Sequence, residues 1–286
     1  MTIKKSKIIV ALMIATLSVS LSACGTGGEG GEDGDTVIVE KKYPLNITIF
    51  LDLSDRIEET KDGMPQREKD IALINHMIDQ FKKRAQRLKI QPCKDRMQVL
   101  FHPTPEDAAM NSCANDLTID MGTLSKAEKR PKLIQMDSVW IKALNSIYTK
   151  AIEAPEFPGS DIWGFFKEDV KLNCIKQGYR NIVIFLTDGY IYYEGNNYCQ
   201  DGACTWIAGS DGGNTLNTNL LIERNDLQDL EVMFLELTPH AKRYPIVQKT
   251  IETWLHGMGV EKTTIYKTGL PTHITPIIDD FIQWEQ

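Results

Sequence analysis

The chain has little of what enzymatic or nucleic-acid chemistry usually needs. Its 286 residues include only five histidines, and none stands in an HExxH arrangement. No two cysteines have CxxC spacing, so a zinc site is not expected. The sequence has no GxxxxGK[ST] phosphate loop, no GxSxG turn and no internal repeat. Positive charge is also scarce. The formal charge is −7, and the densest basic cluster, Lys82-Lys83-Arg84, falls on an expected helix as its solvated face. Nucleic acid is therefore not an expected partner. Long apolar runs are absent except at residues 8–19, a stretch too short to favour a spanning helix.

That one run has the flanks of an export signal. Lys4, Lys5 and Lys7 precede it, and the small residues Ser20, Ser22 and Ala23 follow. Leu21-Ser22-Ala23-Cys24 resembles the lipobox cut by the bacterial lipoprotein signal peptidase. The resemblance implies a signal peptide over residues 1–23 and a mature chain of charge −10 that starts at Cys24. That cysteine would carry lipid on its sulfur and its amine and hold the protein to a membrane of the cell envelope, with the outer membrane favoured and its side open. Residues 24–41 read as a tether, because residues 25–35 are nearly all glycine and acid and have nothing apolar to bury. Acids just after a lipidated cysteine serve some bacteria as a surface address; a plain spacer accounts for them equally well.

Residues 42–286 suffice for one large domain with a full core. Residues 46–53 (NITIFLDL), 96–102, 181–187 (NIVIFLT), 230–237 and 263–267 are β-rich runs, and 117–121 suggests a short strand antiparallel to its neighbour. Between them lie helical periods. After Pro65, Ile71, Ile74, Ile78, Phe81, Ala85 and Leu88 form one stripe, and 132–151, 161–176, 244–256 and 275–284 are further helices. This alternation predicts an α/β fold, a doubly wound and mostly parallel central sheet in three layers with helices on both faces. In such sheets ligands bind beyond the carboxyl ends of the strands, where the strand order reverses.

Three loops are expected at that edge. The first strand runs into Asp52-Leu53-Ser54-Asp55-Arg56, the helix near the middle follows Gly159-Ser160-Asp161, and the clearest strand ends in Thr187-Asp188-Gly189. Two carboxylates and two hydroxyls, without sulfur or imidazole, suit Mg²⁺, Mn²⁺ or Ca²⁺. These residues resemble the metal-ion-dependent adhesion site of von Willebrand factor type A domains, built from a DxSxS loop, a hydroxyl from a middle loop and an aspartate from a TDG-like loop. Asp52 and Ser54 match the first loop, Ser160 the second and Asp188 the third. The resemblance follows element order from about residue 46 to the C-terminus, but only these short stretches are specific. It implies a binding module for a protein or peptide ligand, with an acidic side chain of that ligand completing the metal sphere.

One position departs from the pattern. The third DxSxS position is Arg56, which removes a hydroxyl and adds a positive charge. Arg56 either replaces the metal by a bidentate bridge to Asp52 or Asp188, or points outward to Asp55 or Glu58 and leaves four ligands. Without the three-loop pattern, both aspartates would read as caps of strand ends.

Residues 190–219 leave the same edge, with Tyr190, Tyr192, Tyr193, Tyr198 and Trp206 among small polar residues. That composition suits a ligand rim, and equally a long hairpin packed on the domain. In an oxidising compartment Cys199 with Cys204 is the first choice for a disulfide and Cys93 with Cys174 the second, an odd count beyond Cys24 leaving one thiol over. The chain is not expected to be an enzyme. The alternatives to a metal-dependent binder are a structural or assembly lipoprotein of the envelope with a metal-free site and, less favoured, a metal-dependent hydrolase. Against the last, Ser54 stands where haloacid-dehalogenase-type phosphatases have their second aspartate.

Overall fold

A computed structural model describes residues 43–104, 107–154, 160–189, 191, 221–238 and 244–285. The chain divides into Met1–Glu40, all of it outside these residues, and Lys41–Gln286. The expected tether, the rim tyrosines, Trp206 and the Cys199–Cys204 pair also lie outside the described residues.

The domain is α/β. Strands β1 (Leu45–Leu51), β4 (Arg96–Leu100), β5 (Thr118–Asp120), β6 (Arg180–Leu186), β7 (Leu230–Leu237) and β8 (Lys262–Lys267) form one sheet in the order β5-β4-β1-β6-β7-β8. All neighbours are parallel except β5, which runs antiparallel to β4. A two-stranded hairpin, β2 (Thr60–Lys61) and β3 (Met64–Pro65), leads into α1 (Gln66–Arg87). The other helices are α2 (Ala108–Asp116), α3 (Lys126–Glu153), α4 (Ile162–Gly164), α5 (Val170–Cys174), α6 (Tyr244–Gly257) and α7 (Pro271–Ile282), with a π-helical segment, Phe165–Asp169, joining α4 to α5.

Alternation along the central strands splits the core in two. Ile182, Ile184 and Leu186 face a cluster shared with α1, α3 and α7, while Val183 and Phe185 face a cluster shared with α4, α5 and α6. A strand buried on both faces has no polar side to show, which is why its sequence reads as a continuous apolar run. The same division rules out the Cys93–Cys174 bridge. Both thiols are free, and they lie in clusters on opposite faces of the sheet. Burial pushes Cys93 up to about 11 and Cys174 up to about 12, with the Asp95 carboxylate adding to the shift at Cys93, so both stay protonated and unreactive.

Several helices differ from the sequence expectation: α7 begins at Pro271 rather than 275, and the helix expected over 161–176 is α4, the π-helical segment and α5 in succession. The helix expected from residue 132 begins at Lys126, because Ser125 and Glu128 close a capping box and Pro131 is tolerated in the early turns. Helix α2 was not expected at all. It buries only Met110, so it carries no apolar stripe, and Asp107 caps it by accepting the Met110 N–H at 2.7 Å. No helix among the described residues is long and apolar enough to cross a membrane.

Candidate functional site

The chain leaves β1 towards β4 on one side of the sheet and leaves β6 towards β7 on the other, so the order reverses between β1 and β6. Leu51 and Leu186 pair in register as the last residues of these strands. Asp52 and Thr187 therefore emerge side by side, and the Asp52 N–H donates to the Leu186 carbonyl at 3.1 Å. The Thr187 hydroxyl donates to Asp52 Oδ2 at 2.7 Å and accepts the Gly189 N–H at 3.2 Å. The middle loop joins them. Asp161 donates its N–H to the carbonyl of His102, just beyond β4, and the Ser160 hydroxyl accepts the Leu53 N–H at 2.9 Å. The three loops are thus tied together, with Asp52, Ser54 and Ser160 in one hydrogen-bonded unit and half-buried Asp188 directly after Thr187.

Gly189 makes the last loop possible. Its φ of +93° is in the left-handed region, and a Cβ there would lie 2.8 Å from Leu237 Cγ. Gly189→Ala should therefore cost more than the ~1 kcal/mol of an ordinary strained residue. Thermal denaturation checks this; an unchanged melting temperature would mean the loop repacks.

Arg56 does not point outward to Asp55 or Glu58; it turns inward and pairs with Asp52, but its bidentate partner is neither Asp52 nor Asp188. The 3-10 turn Asp55–Glu58 directs it inward, and it is 2% exposed. Its bidentate partner is Asp70 on α1, with Nη2 2.7 Å from Oδ2 and Nη1 3.4 Å from Oδ1. Nε donates to the Asp52 carbonyl at 3.0 Å and lies 3.7 Å from Asp52 Oδ2, while Nη2 also donates to the Leu186 carbonyl at 2.7 Å. Burial alone would lower its proton affinity, but the Asp70 and Asp52 carboxylates more than offset this and the guanidinium stays charged.

Asp70 is the residue that sequence reasoning missed. It is fully buried and accepts from Arg56, from Gln66 Nε2 at 3.0 Å and from the Tyr148 hydroxyl at 2.8 Å. Tyr148 is held well above its ordinary value, first by burial and then by the Asp70 charge. A signal was present in the sequence: Gln66, Asp70, Leu73, Ile74 and Met77 follow helical spacing and are all buried, so a charge lies on the inner face of α1. A second pair, His102 Nδ1 and Asp169 Oδ2 at 3.0 Å, stands beside the middle loop and was likewise not foreseen.

The network continues to Glu236. Its Oε2 accepts from Gln66 at 3.1 Å and from the Thr268 hydroxyl at 2.7 Å, while buried Oε1 has no hydrogen-bond partner among the described residues. Glu236 also has a positive φ of 70° where the β7–β8 register shifts. Burial holds its carboxyl above the ordinary range; the Thr268 and Gln66 bonds offset part of this, and Asp70 adds to it. The folded state thus keeps a proton that the unfolded chain gives up near its ordinary carboxylate value. The stability tied to that proton is full at acid pH and is lost as pH rises through the elevated folded-state value. Glu236→Gln should therefore lose less stability than the parent between pH 5 and pH 8. Urea melts of both proteins at the two pH values test this, and parallel losses would refute it.

The donors at the edge fit a divalent cation incompletely. Asp52 Oδ1 accepts the Ser54 N–H at 2.9 Å, Oδ2 is engaged by Thr187, and the Ser160 oxygen is engaged by Leu53. The third hydroxyl of the pattern is replaced by a buried guanidinium against the same aspartate. A unit charge and a dication of like sign repel by roughly 8 kcal/mol at 4 Å for an effective dielectric near 20. Among the described residues no three His, Cys, Asp or Glu side chains cluster so as to hold a metal ion.

No protein-family profile, curated protein or solved structure significantly matches this chain.

Proposed function

We propose that the chain is a lipid-anchored recognition module, similar in plan to von Willebrand factor type A domains, that binds a protein or peptide ligand at the carboxyl edge of its sheet. The observation that carries this reading is the pair of hydrogen bonds, Ser160 to Leu53 and Thr187 to Asp52, that fastens three loops into one platform at the switch point. A platform with few moving parts loses little entropy when a partner docks. The lipobox-like Cys24 would fix the module to the envelope, with residues 24–41 giving it reach. No catalytic step is assigned.

A second reading is a structural or assembly lipoprotein. It draws on the hydrogen bond that each Asp52 oxygen accepts from Ser54 or Thr187, which a purely architectural strand end would also show.

A photo-cross-linking amino acid at exposed Asp55 or Glu58 of the full chain, in the envelope of cells that make it, separates the two. The recognition reading expects a discrete protein adduct from these positions and none from exposed Lys83 on α1, with the adduct lost in Asp188→Ala while that variant remains folded. Equal labelling from all three positions would favour the structural reading. Cys24→Ser should move the chain from the membrane to the soluble fraction, and a variant that stays in the membrane fraction would remove the Cys24 anchor from the proposal.

A further inference from the structure

The Arg56 guanidinium occupies a junction that has no need of a side chain so highly charged unless the charge itself is used. It lies where the ends of β1 and β6 meet α1, and it bonds to each: the Asp52 carbonyl, the Leu186 carbonyl and the Asp70 carboxylate. Two buried aspartates, Asp52 at 2% exposure and Asp70 at 0%, come together there and need one cation between them. We infer that Arg56 is the built-in cation of the three-loop edge, covalently part of the chain, so that the edge is assembled and held without a divalent metal.

Three observations support this. The side chain closes the Asp52-Leu53-Ser54-Asp55-Arg56 loop where the adhesion-site pattern has a hydroxyl, so at that position this chain offers a positive charge and no oxygen ligand. The planar fork matches the Asp70 carboxylate on two sides and leaves Nε for the Asp52 backbone, a geometry that a lysine cannot reproduce. Asp70, the counter-charge, is itself saturated by Gln66 and Tyr148 from two helices. A dication approaching Asp52 would thus meet a charge that cannot move aside without leaving Asp70 buried and unpaired. The inference deepens the recognition reading and rests on it only for the use of the edge; how the edge is held together is a separate matter.

The test is the melting temperature of the full lipidated chain in detergent with EDTA and then with millimolar Mg²⁺, Mn²⁺ or Ca²⁺. The expected result is no saturable change for any of the three. A saturable rise of a few degrees would show that the folded state binds the ion by mass action and would overturn the inference. The double variant Arg56→Ser with Asp70→Asn supplies the converse. It restores the missing hydroxyl and removes the carboxylate that Arg56 neutralises, and it should gain a saturable Mg²⁺ response absent from the parent. A folded double variant indifferent to metal would overturn the claim that Arg56 stands in for an ion. The parent titration decides the matter even if the double variant does not fold. A metal-induced rise with the cross-link intact would refute this inference and leave the recognition reading, whereas loss of the cross-link with metal indifference would do the opposite.

Discussion

Asp70→Ala should destabilise the domain by about 3–5 kcal/mol, the range measured when one partner of a buried ion pair is removed. The cost arises less from the lost contact than from what is left behind. Arg56 is 2% exposed and cannot be deprotonated, so without Asp70 its charge would stay buried with only the partial neutralisation that Asp52 offers at 3.7 Å. The Tyr148 hydroxyl and Gln66 would each lose an acceptor as well. The measurement is denaturant unfolding, read as a fall in midpoint at constant slope. Two controls make it specific. Tyr148→Phe removes one donor to a charged acceptor and should cost about 1.5–3 kcal/mol, less than the loss of Asp70. Arg56→Met combined with Asp70→Leu removes both charges and should recover much of the loss, because apolar replacement of a whole buried pair is often close to neutral. A small effect of Asp70→Ala would mean that water or a rearranged carboxylate reaches Arg56, and the built-in cation would lose its main support.

The fold was legible because its signals are local and redundant. The run at residues 181–187 is apolar on both faces and that at 46–53 nearly so, with Asn46 and Thr48 buried on one face, and a central strand covered on both sides asks for that. The sequence alone places the two aspartates after them at one edge, since parallel strands bring their carboxyl ends together. Residues 96–102 and 117–121 were placed as a strand and its antiparallel neighbour, matching the pairing of Met97 with Ile119. What stayed hidden depends on contacts between elements far apart in sequence. Arg56 and Asp70 meet because a 3-10 turn and a hairpin of two-residue strands fold the chain back onto α1, and neither carries an apolar period. Tyr148 lies 78 residues from Asp70, and no spacing rule links them. The extra helix α2 escaped for the opposite reason: it forms from a cap and a short polar run, and it buries almost nothing.

Lys69 shows how far burial of charge extends beneath this edge. Fully buried, it reaches Asp62 on the exposed turn of the β2–β3 hairpin at 3.1 Å and Thr268 at 3.4 Å. Its neighbour in sequence, Asp70, faces the Arg56 side of the same helix. One turn of α1 thus holds the hairpin with one residue and the strand ends with the next. Loosening either contact should therefore be felt at the loops that carry Ser54 and Asp188.

Phe185→Ala should cost about 3–5 kcal/mol, the range for deleting a large aromatic side chain from a packed core. Phe50, Phe185 and Phe234 stand in register across β1, β6 and β7, with ring centroids 4.9 and 4.5 Å apart. Above them lie Phe165 and Phe166, and Phe166 is stacked on Phe185 at 5.3 Å and 18° and meets Trp254 edge-on at 4.9 Å. Aromatic pairs of this kind add about 0.5–1.5 kcal/mol beyond the area they bury, and Phe185 takes part in four of them. The remaining rings cannot easily collapse into the space, because Phe50 and Phe234 are fixed to strands that the hydrogen-bond ladder holds in place. The consequence reaches the edge through one helix. Phe165 and Phe166 open the π-helical segment just after Ser160 and Asp161, so their packing sets where the middle loop sits. Phe185→Leu keeps most of the volume and should cost less, whereas Phe185→Ala should also raise hydrogen exchange at Leu53, whose amide is held by Ser160. Exchange unchanged at Leu53 beside a large loss of stability would mean that the aromatic layer supports the fold but not the platform.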